Sequence, residues 1–240
     1  MMCVTLTYGQ GQYPFEKFPS IKYEEYKDWK IYDKLKTEKR IHFTLTIPGF
    51  YDNMDTLTIQ LTSFQVNWDS SFVRIFRNKK QIQKMFEPMH FADINVYEAL
   101  RTADVDGDKL NDVKMVIPYM GNGLAAMNQR VIYLFQKTDG HFTKVSFLDK
   151  MDSNRPERNL DGDNQFEIIT MTLNGYEDHN YWTFNIYNYL NGRLINQNEK
   201  FGYPIMIQYL FKENYKVTDK IPSDQMKTFG EKEPSEYRVD

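Results

Sequence analysis

At 240 residues, 41% hydrophobic and 15% aromatic, the chain has enough apolar material to bury a sizeable core, as one domain or two small ones. A formal net charge of -3 gives no whole-chain attraction to nucleic acid or to an anionic membrane, so neither is expected as a partner. Cys3 is the only cysteine, which excludes an internal disulfide and a cysteine-rich zinc site, and no apolar run approaches the roughly 20 residues of a helical membrane span.

The first residues, "MMCVTLTYGQGQ", read as the end of an export signal over 1–12. Apolar residues precede Thr7 and Gly9, small side chains at -3 and -1 of a cleavage point. A basic n-region is lacking, and a frayed first strand is the alternative reading. An exported chain is periplasmic or secreted. Met2 before Cys3 is not the small residue of a lipobox.

Residues 13–40 are charged and aromatic without a clean period, with one short helix expected near Tyr23 to Lys36. From His42 the pattern alternates strictly. Phe43, Leu45 and Ile47 fall on one face and Leu57, Ile59 and Leu61 follow a "PGFYDN" turn, so residues 42–86 predict a four-stranded antiparallel meander.

Two similar units follow, at about 92–150 and 151–200. In the first, "DVDGDKLND" leads into the strand "VKMVIPYM", a loop "GNGLAAMNQ", the strand "RVIYLFQ", a turn at Asp139-Gly140 and the strand "HFTKVSF". In the second, "NLDGDNQFE" leads into "IITMTL", a loop "NGYEDHN", "YWTFNIYN", a turn at Asn191-Gly192 and "RLINQ". Asx-Gly pairs favour type I′ hairpins, which need positive φ at both central residues. Each unit is therefore an acidic loop followed by three antiparallel strands. The fold class expected is all-β: a propeller-like array of small antiparallel sheets with calcium loops, spanning residues 13–230 as one domain, with a β-sandwich as the competing architecture. "YPIMIQYLF" would complete a blade or close the ring, "SDQMKTF" would be a short helix capped by Ser223, and 231–240 would be a flexible tail.

The acidic loops carry the chemistry. Four carboxylates within nine residues each raise the cost of ionising the next, unless a multivalent cation offsets the repulsion. Calcium takes 6–8 oxygens from carboxylates, carbonyls and water. In the first loop Asp104, Asp106, Asp108 and Asp112 would coordinate by their side chains and Leu110 by its carbonyl; in the second, Asn159, Asp161, Asp163 and Glu167 would do so with the carbonyl of Gln165. One or two calcium ions follow. An EF-hand would carry glycine at position six and glutamate at twelve, where this chain has Met115 or Thr170, so that motif is rejected. The bland alternative is a solvated turn rich in Asp, Asn and Gly.

The D-x-D-G-D-x-x-x-D spacing running directly into an apolar strand resembles the calcium loop of FG-GAP and VCBS-type repeats, over about residues 92–200. That resemblance implies a calcium-bearing propeller of an exported bacterial protein. Lys109 and Asn164 stand where the family often has a second glycine, and the Phe-Gly and Gly-Ala-Pro signatures are absent.

No nucleophile elbow, zinc-protease motif or phosphate-binding glycine loop occurs, and His42, His90, His141 and His179 lack metal-ligand spacing, so no enzyme is expected. The two inter-strand loops offer Leu124, Met127, Tyr176 and His179 as candidates for contact with a partner protein, while Trp182, alternating with Phe184 and Ile186, reads as core. The expected function is protein binding. Periplasmic inhibitors of cell-wall hydrolases are similar in plan; carbohydrate binding through exposed aromatic rings is the alternative, and a hydrolase the third.

Overall fold

The computed structural model describes residues 13–35, 40–64, 71–88, 98–118, 123–151, 154–210 and 221–240, with side chains 31–41 and 64 left out. The export-signal reading of 1–12, His90 and the first residues of the "GNG" turn lie outside them.

The segment expected to hold a helix instead supplies two edge strands, β1 (Glu24–Tyr26) and β2 (Lys30–Leu35). The meander follows as predicted: β3 (Arg40–Ile47), β4 (Leu57–Phe64), β5 (Phe72–Arg77) and β6 (Lys80–Phe86) pair antiparallel in sequence order, and β2 adds a fifth strand beside β3. β5 and β6 are joined by Asn78 and Lys79, both at positive φ, a tight two-residue turn.

The first repeat unit supplies β8 (Asp112–Pro118), β9 (Asn128–Gln136) and β10 (Phe142–Lys150), preceded by the short β7 (Leu100–Ala103). With β1 and the C-terminal β15 (Arg238–Val239) they make a six-stranded sheet in the order β1-β7-β8-β9-β10-β15. Asp139-Gly140 is not a type I′ pair. Gly140 alone has positive φ, its N–H closes on the Lys137 carbonyl at 2.8 Å, and the Lys137 N–H returns to His141 O at 2.7 Å. That is a tight turn followed by a left-handed glycine, the longer hairpin solution.

The second unit supplies β11 (Ile168–Tyr176), β12 (His179–Leu190) and β13 (Arg193–Asn196). Here Asn191 and Gly192 are both at positive φ, the turn the sequence predicted. The expected loop over 174–180 is absent: β11 and β12 stay paired up to Tyr176 opposite His179, and only Glu177 and Asp178 turn the chain, both at positive φ. β12 is long enough to pair with β13 near one end and with β14 (Ile205–Gln208) near the other. Between these, α1 (Asn198–Phe201) ends on Gly202 in the left-handed conformation. α2 (Ser223–Lys227) forms where a helix was expected, but its N-cap is Pro222 and no side chain caps it.

The all-β expectation of several small antiparallel sheets holds, and each sheet is open. The sheets stack face to face. Val113, Met115 and Ile117 of β8, with Ile132 and Leu134 of β9, pack on Leu45, Ile59, Leu61 and Ile75 of the five-stranded sheet. The opposite face, through Val116, Val131, Tyr133 and Phe135, packs on Ile168, Tyr187 and Leu194 of the four-stranded sheet. The far face of that sheet, including Trp182, Phe184 and Ile186, is covered by Phe15 and Tyr203. Trp182 is thus core, as its alternation implied.

A central sheet covered on both faces has little water for its polar side chains, and it carries several. Arg130 and Lys144, each 1% exposed, converge on fully buried Glu87, at 2.7 Å to Oε1 and 3.0 Å to Oε2. Arg130 also donates to Ser146 Oγ and to the Glu236 carbonyl, and Lys144 pairs with Asp240. These contacts correct the tail expectation: residues 231–240 are docked, with Val145 opposite Val239 and two backbone hydrogen bonds between Lys144 and Asp240. Lys114 reaches Glu157 at 2.5 Å, and Tyr23 and Tyr133 donate to the same carboxylate.

Removing one member of a buried ion cluster strands its partners. Glu87→Gln removes the one fully buried carboxylate the two cations share, leaving Lys144 only Asp240 at 3.1 Å and Arg130 only Glu236 at 3.6 Å, and is expected to cost about 3 kcal/mol, read as a lower midpoint in a urea unfolding curve.

Candidate functional site

Both acidic loops fold by the same local rules. In the first, Asp104 Oδ1 accepts the Gly107 N–H at 2.7 Å, Asp106 Oδ1 the Asp108 N–H at 3.3 Å and Asp108 Oδ1 the Leu110 N–H at 2.8 Å. In the second, Asn159 Oδ1 accepts from Gly162 at 2.6 Å, Asp161 Oδ1 from Asp163 at 3.3 Å and Asp163 Oδ1 from Gln165 at 2.7 Å. The first bond of each loop spans three residues and the two that follow are successive Asx turns, which the residue types favour. Gly107 and Gly162 have φ of +80° and +82°, a conformation in which any Cβ is strained.

The ninth position closes each loop. Buried Asp112 takes the Val105 N–H on Oδ2 and the Gln136 N–H on Oδ1, both at 2.9 Å, tying the loop to β9. Glu167 takes the Leu160 N–H at 2.7 Å on Oε2 and Asn188 Nδ2 at 3.0 Å on Oε1, tying the second loop to β12. The repeat seen in the sequence is thus a repeat of hydrogen bonds.

Oxygens of Asp104, Asp106 and Asp108 lie within 4.8 Å of one another, as do those of Asp161, Asp163 and Glu167. A spacing of that order lets three oxygens share one ion at the 2.3–2.6 Å typical of calcium. Either cluster could hold a metal ion. Asp112 is not among the three converging residues of the first loop, and its carboxylate is engaged by backbone. Of the remaining predicted ligands, Asn159 contributes the first turn of its loop, while Leu110 and Gln165 donate their N–H groups back to Asp108 and Asp163.

The two clusters differ in charge. Burial, then the neighbouring Asp108, pushes the Asp106 carboxyl up to about 6; burial, then Asp106, pushes Asp112 up to about 8. In the second loop burial raises Glu167, while the hydrogen bond from Lys200 holds Asp161 below the usual range. Lys200, carried by α1, reaches Asp161 Oδ2 at 2.5 Å. Sequence reasoning missed this ammonium because Lys200 is remote from the loop in the chain and part of no motif.

The loops also touch each other. Phe166 N–H donates to Val105 O at 3.0 Å, and a Cβ on Gly107 would meet the Asn164 carbonyl oxygen at 2.8 Å. A Cβ on Gly162 would meet nothing within 4 Å. At the position of the second family glycine, Lys109 takes φ of +73° despite its side chain and donates its N–H to Asp104 Oδ2 at 2.9 Å. Asn164, which tolerates positive φ far better, does not adopt it.

The partner candidates separate. Leu124 is 37% exposed on the 3-10 turn Gly123–Met127. Met127, from the same turn, packs instead on the cluster around Trp182. Tyr176 packs on Tyr181 and Phe229, with ring centroids 6.5 Å and 6.3 Å away, and His179 Nδ1 donates to the Glu177 carbonyl at 2.7 Å. Among the described residues no helix is long and apolar enough to cross a membrane. No family model, curated protein or solved structure matches this chain.

Two predictions follow from the loops. Gly162→Ala is expected to cost about 1 kcal/mol through φ alone, and Gly107→Ala at least twice that, because backbone of the second loop blocks its Cβ; paired urea melts measure the difference. In chelator, Asp106 and Asp112 hold protons in the folded state that they release near pH 4 when unfolded. The folded state therefore binds more protons over that interval, so the stability contributed by these groups declines as pH rises from about 4 to about 8. Melts in chelator across this range read the slope, and Asp112→Asn flattens its upper part.

Proposed function

We propose that the two loops are calcium sites that fasten neighbouring sheets together, and that the molecule is an exported binding module of the FG-GAP and VCBS kind rather than an enzyme. The observation that carries this reading is the equivalence of the loops: the same four backbone-to-carboxylate or backbone-to-amide bonds recur at matching positions, each beside three converging acidic side chains. A surface turn selected only for polarity has no reason to repeat that arrangement. Calcium suits it better than magnesium, which demands tighter octahedral geometry and keeps its waters.

The first loop is the stronger site, since the second already spends Asp161 on Lys200. The ions act on stability. An ion held by one loop removes the repulsion among its carboxylates and fixes the Val105–Phe166 contact between units. Extracellular modules work with weak sites because calcium is abundant outside cells, which accords with a periplasmic or secreted location. Stacked small sheets are also how successive propeller blades pack.

For the module's task, binding a protein partner is favoured by the exposed apolar turn at Leu124, the arrangement an inhibitor of a cell-wall hydrolase would use. Glycan binding is the second reading, carried by the number of tyrosines.

The test is a thermal melt in chelator and in millimolar calcium, with calorimetric titration. Calcium at about 100 times Kd is expected to stabilise the fold by about 2.7 kcal/mol, and Asp104→Ala to abolish the stronger binding isotherm. Identical melts in the two buffers would sink the calcium reading.

A further inference from the structure

Beside the second unit lies a cleft of about 410 Å³ that neither acidic loop uses. Its apolar lining is mainly aromatic rings and methionines. Trp182 and Tyr209 pack tilted with ring centroids 5.0 Å apart, and Met127 comes from the 3-10 turn, Met151 from just beyond β10 and Met171 from β11. Methionine is unbranched and polarisable, so a methionine-lined slot adapts to apolar groups of differing shape. The exposed turn that presents Leu124 ends in Met127, so it rims this cleft.

The polar lining is asymmetric. Arg155 is spent: it donates to Asp149 Oδ2 at 2.8 Å and to the carbonyls of Lys150 and Ile169. Arg158 is not. Its Nη1 donates to the Glu16 and Phe18 carbonyls at 3.2 and 3.0 Å, its Nε is buried without a hydrogen-bond partner, and no carboxylate of the described residues lies within ion-pair distance. Glu16 also lines the cleft, but its carboxylate is held by the Tyr13 N–H at 2.7 Å. Asn154 Oδ1 is a second buried polar atom there without a partner. Buried polar groups are rarely left unpaired, and a guanidinium without a counter-ion beside an apolar slot complements a carboxylate carried next to an apolar group.

We propose that this cleft receives a peptide segment of a partner protein that presents a large apolar side chain adjacent to an acidic one, the apolar group entering the methionine and tryptophan slot and the carboxylate pairing with Arg158. The inference rests on the binding-module reading and gives its partner a chemistry. A volume of this size accommodates one large side chain and its neighbour, so a short peptide alone binds weakly, with Kd of about 1 mM.

The experiment uses the full chain with ¹³C-labelled methionine methyls, titrated with N-acetyl-Phe-Asp-amide, with its neutral counterpart N-acetyl-Phe-Asn-amide, and with chitobiose. The expected result is saturable shifts at Met127, Met151 and Met171, with the acidic peptide bound roughly threefold or more tightly than the neutral one, as for a single partly exposed charge-assisted bond. Arg158→Gln removes that preference and Arg158→Lys keeps it. If Arg158→Gln fails to fold, the wild-type comparison of acidic and neutral peptides still decides. Absence of saturable shifts, equal binding of both peptides, or tighter binding of chitobiose overturns the proposal. A calcium-dependent melt with a silent cleft would leave the calcium reading standing and remove only this inference.

Discussion

Covering the central sheet on both faces is the constraint from which the other features follow. A sheet between two others has no solvated side, so every polar group it carries must find a partner inside the protein or cost several kcal/mol. The molecule meets this with paired clusters. Glu87 holds Arg130 and Lys144, Glu157 holds Lys114 and two tyrosines, and Asp149 holds Arg155. The Glu87 and Glu157 clusters join segments far apart in the chain, so they also fix how the sheets are laid on one another. The C-terminal residues are drawn in by the same need, since Asp240 and the Glu236 carbonyl complete the first cluster.

The acidic loops sit at the entry to this arrangement. Asp112 ends one loop and begins β8, and its buried carboxylate ties the loop to the far end of β9. Glu167 does the same for the second loop and β12. Because the loops touch through Val105 and Phe166, the geometry of one constrains the other. An ion at either loop would therefore act on the join between units as much as on its own turn. Lys200 shows how the chain can offset part of the same repulsion with its own ammonium.

Strictly alternating segments were legible because burying one face of a strand imposes a period of two, as in residues 42–64. The Asn191-Gly192 turn and the repeat of the loops were legible for the same local reason: positive φ and Asx turns select particular residue types. The misreadings share a cause. Glu24–Tyr26 has no strand pattern of its own, yet pairs with β7 because that edge is free to accept it. Residues 174–180 look like a loop by composition, but β12 is long enough to hold them in register. The tail looks loose because its sequence is charged, and it docks because buried cations await it.

By itself the sequence determined the all-β class, the meander and the two acidic loops with their repeated turns, since each depends on residues within a few positions of one another. Only the tertiary structure decided which faces are covered, which ions are buried together, that the loops meet, and that Lys200 and Arg158 stand where they do. Those are contacts between residues distant in the chain, selected by how the sheets stack, and no local pattern of side chains encodes the stacking.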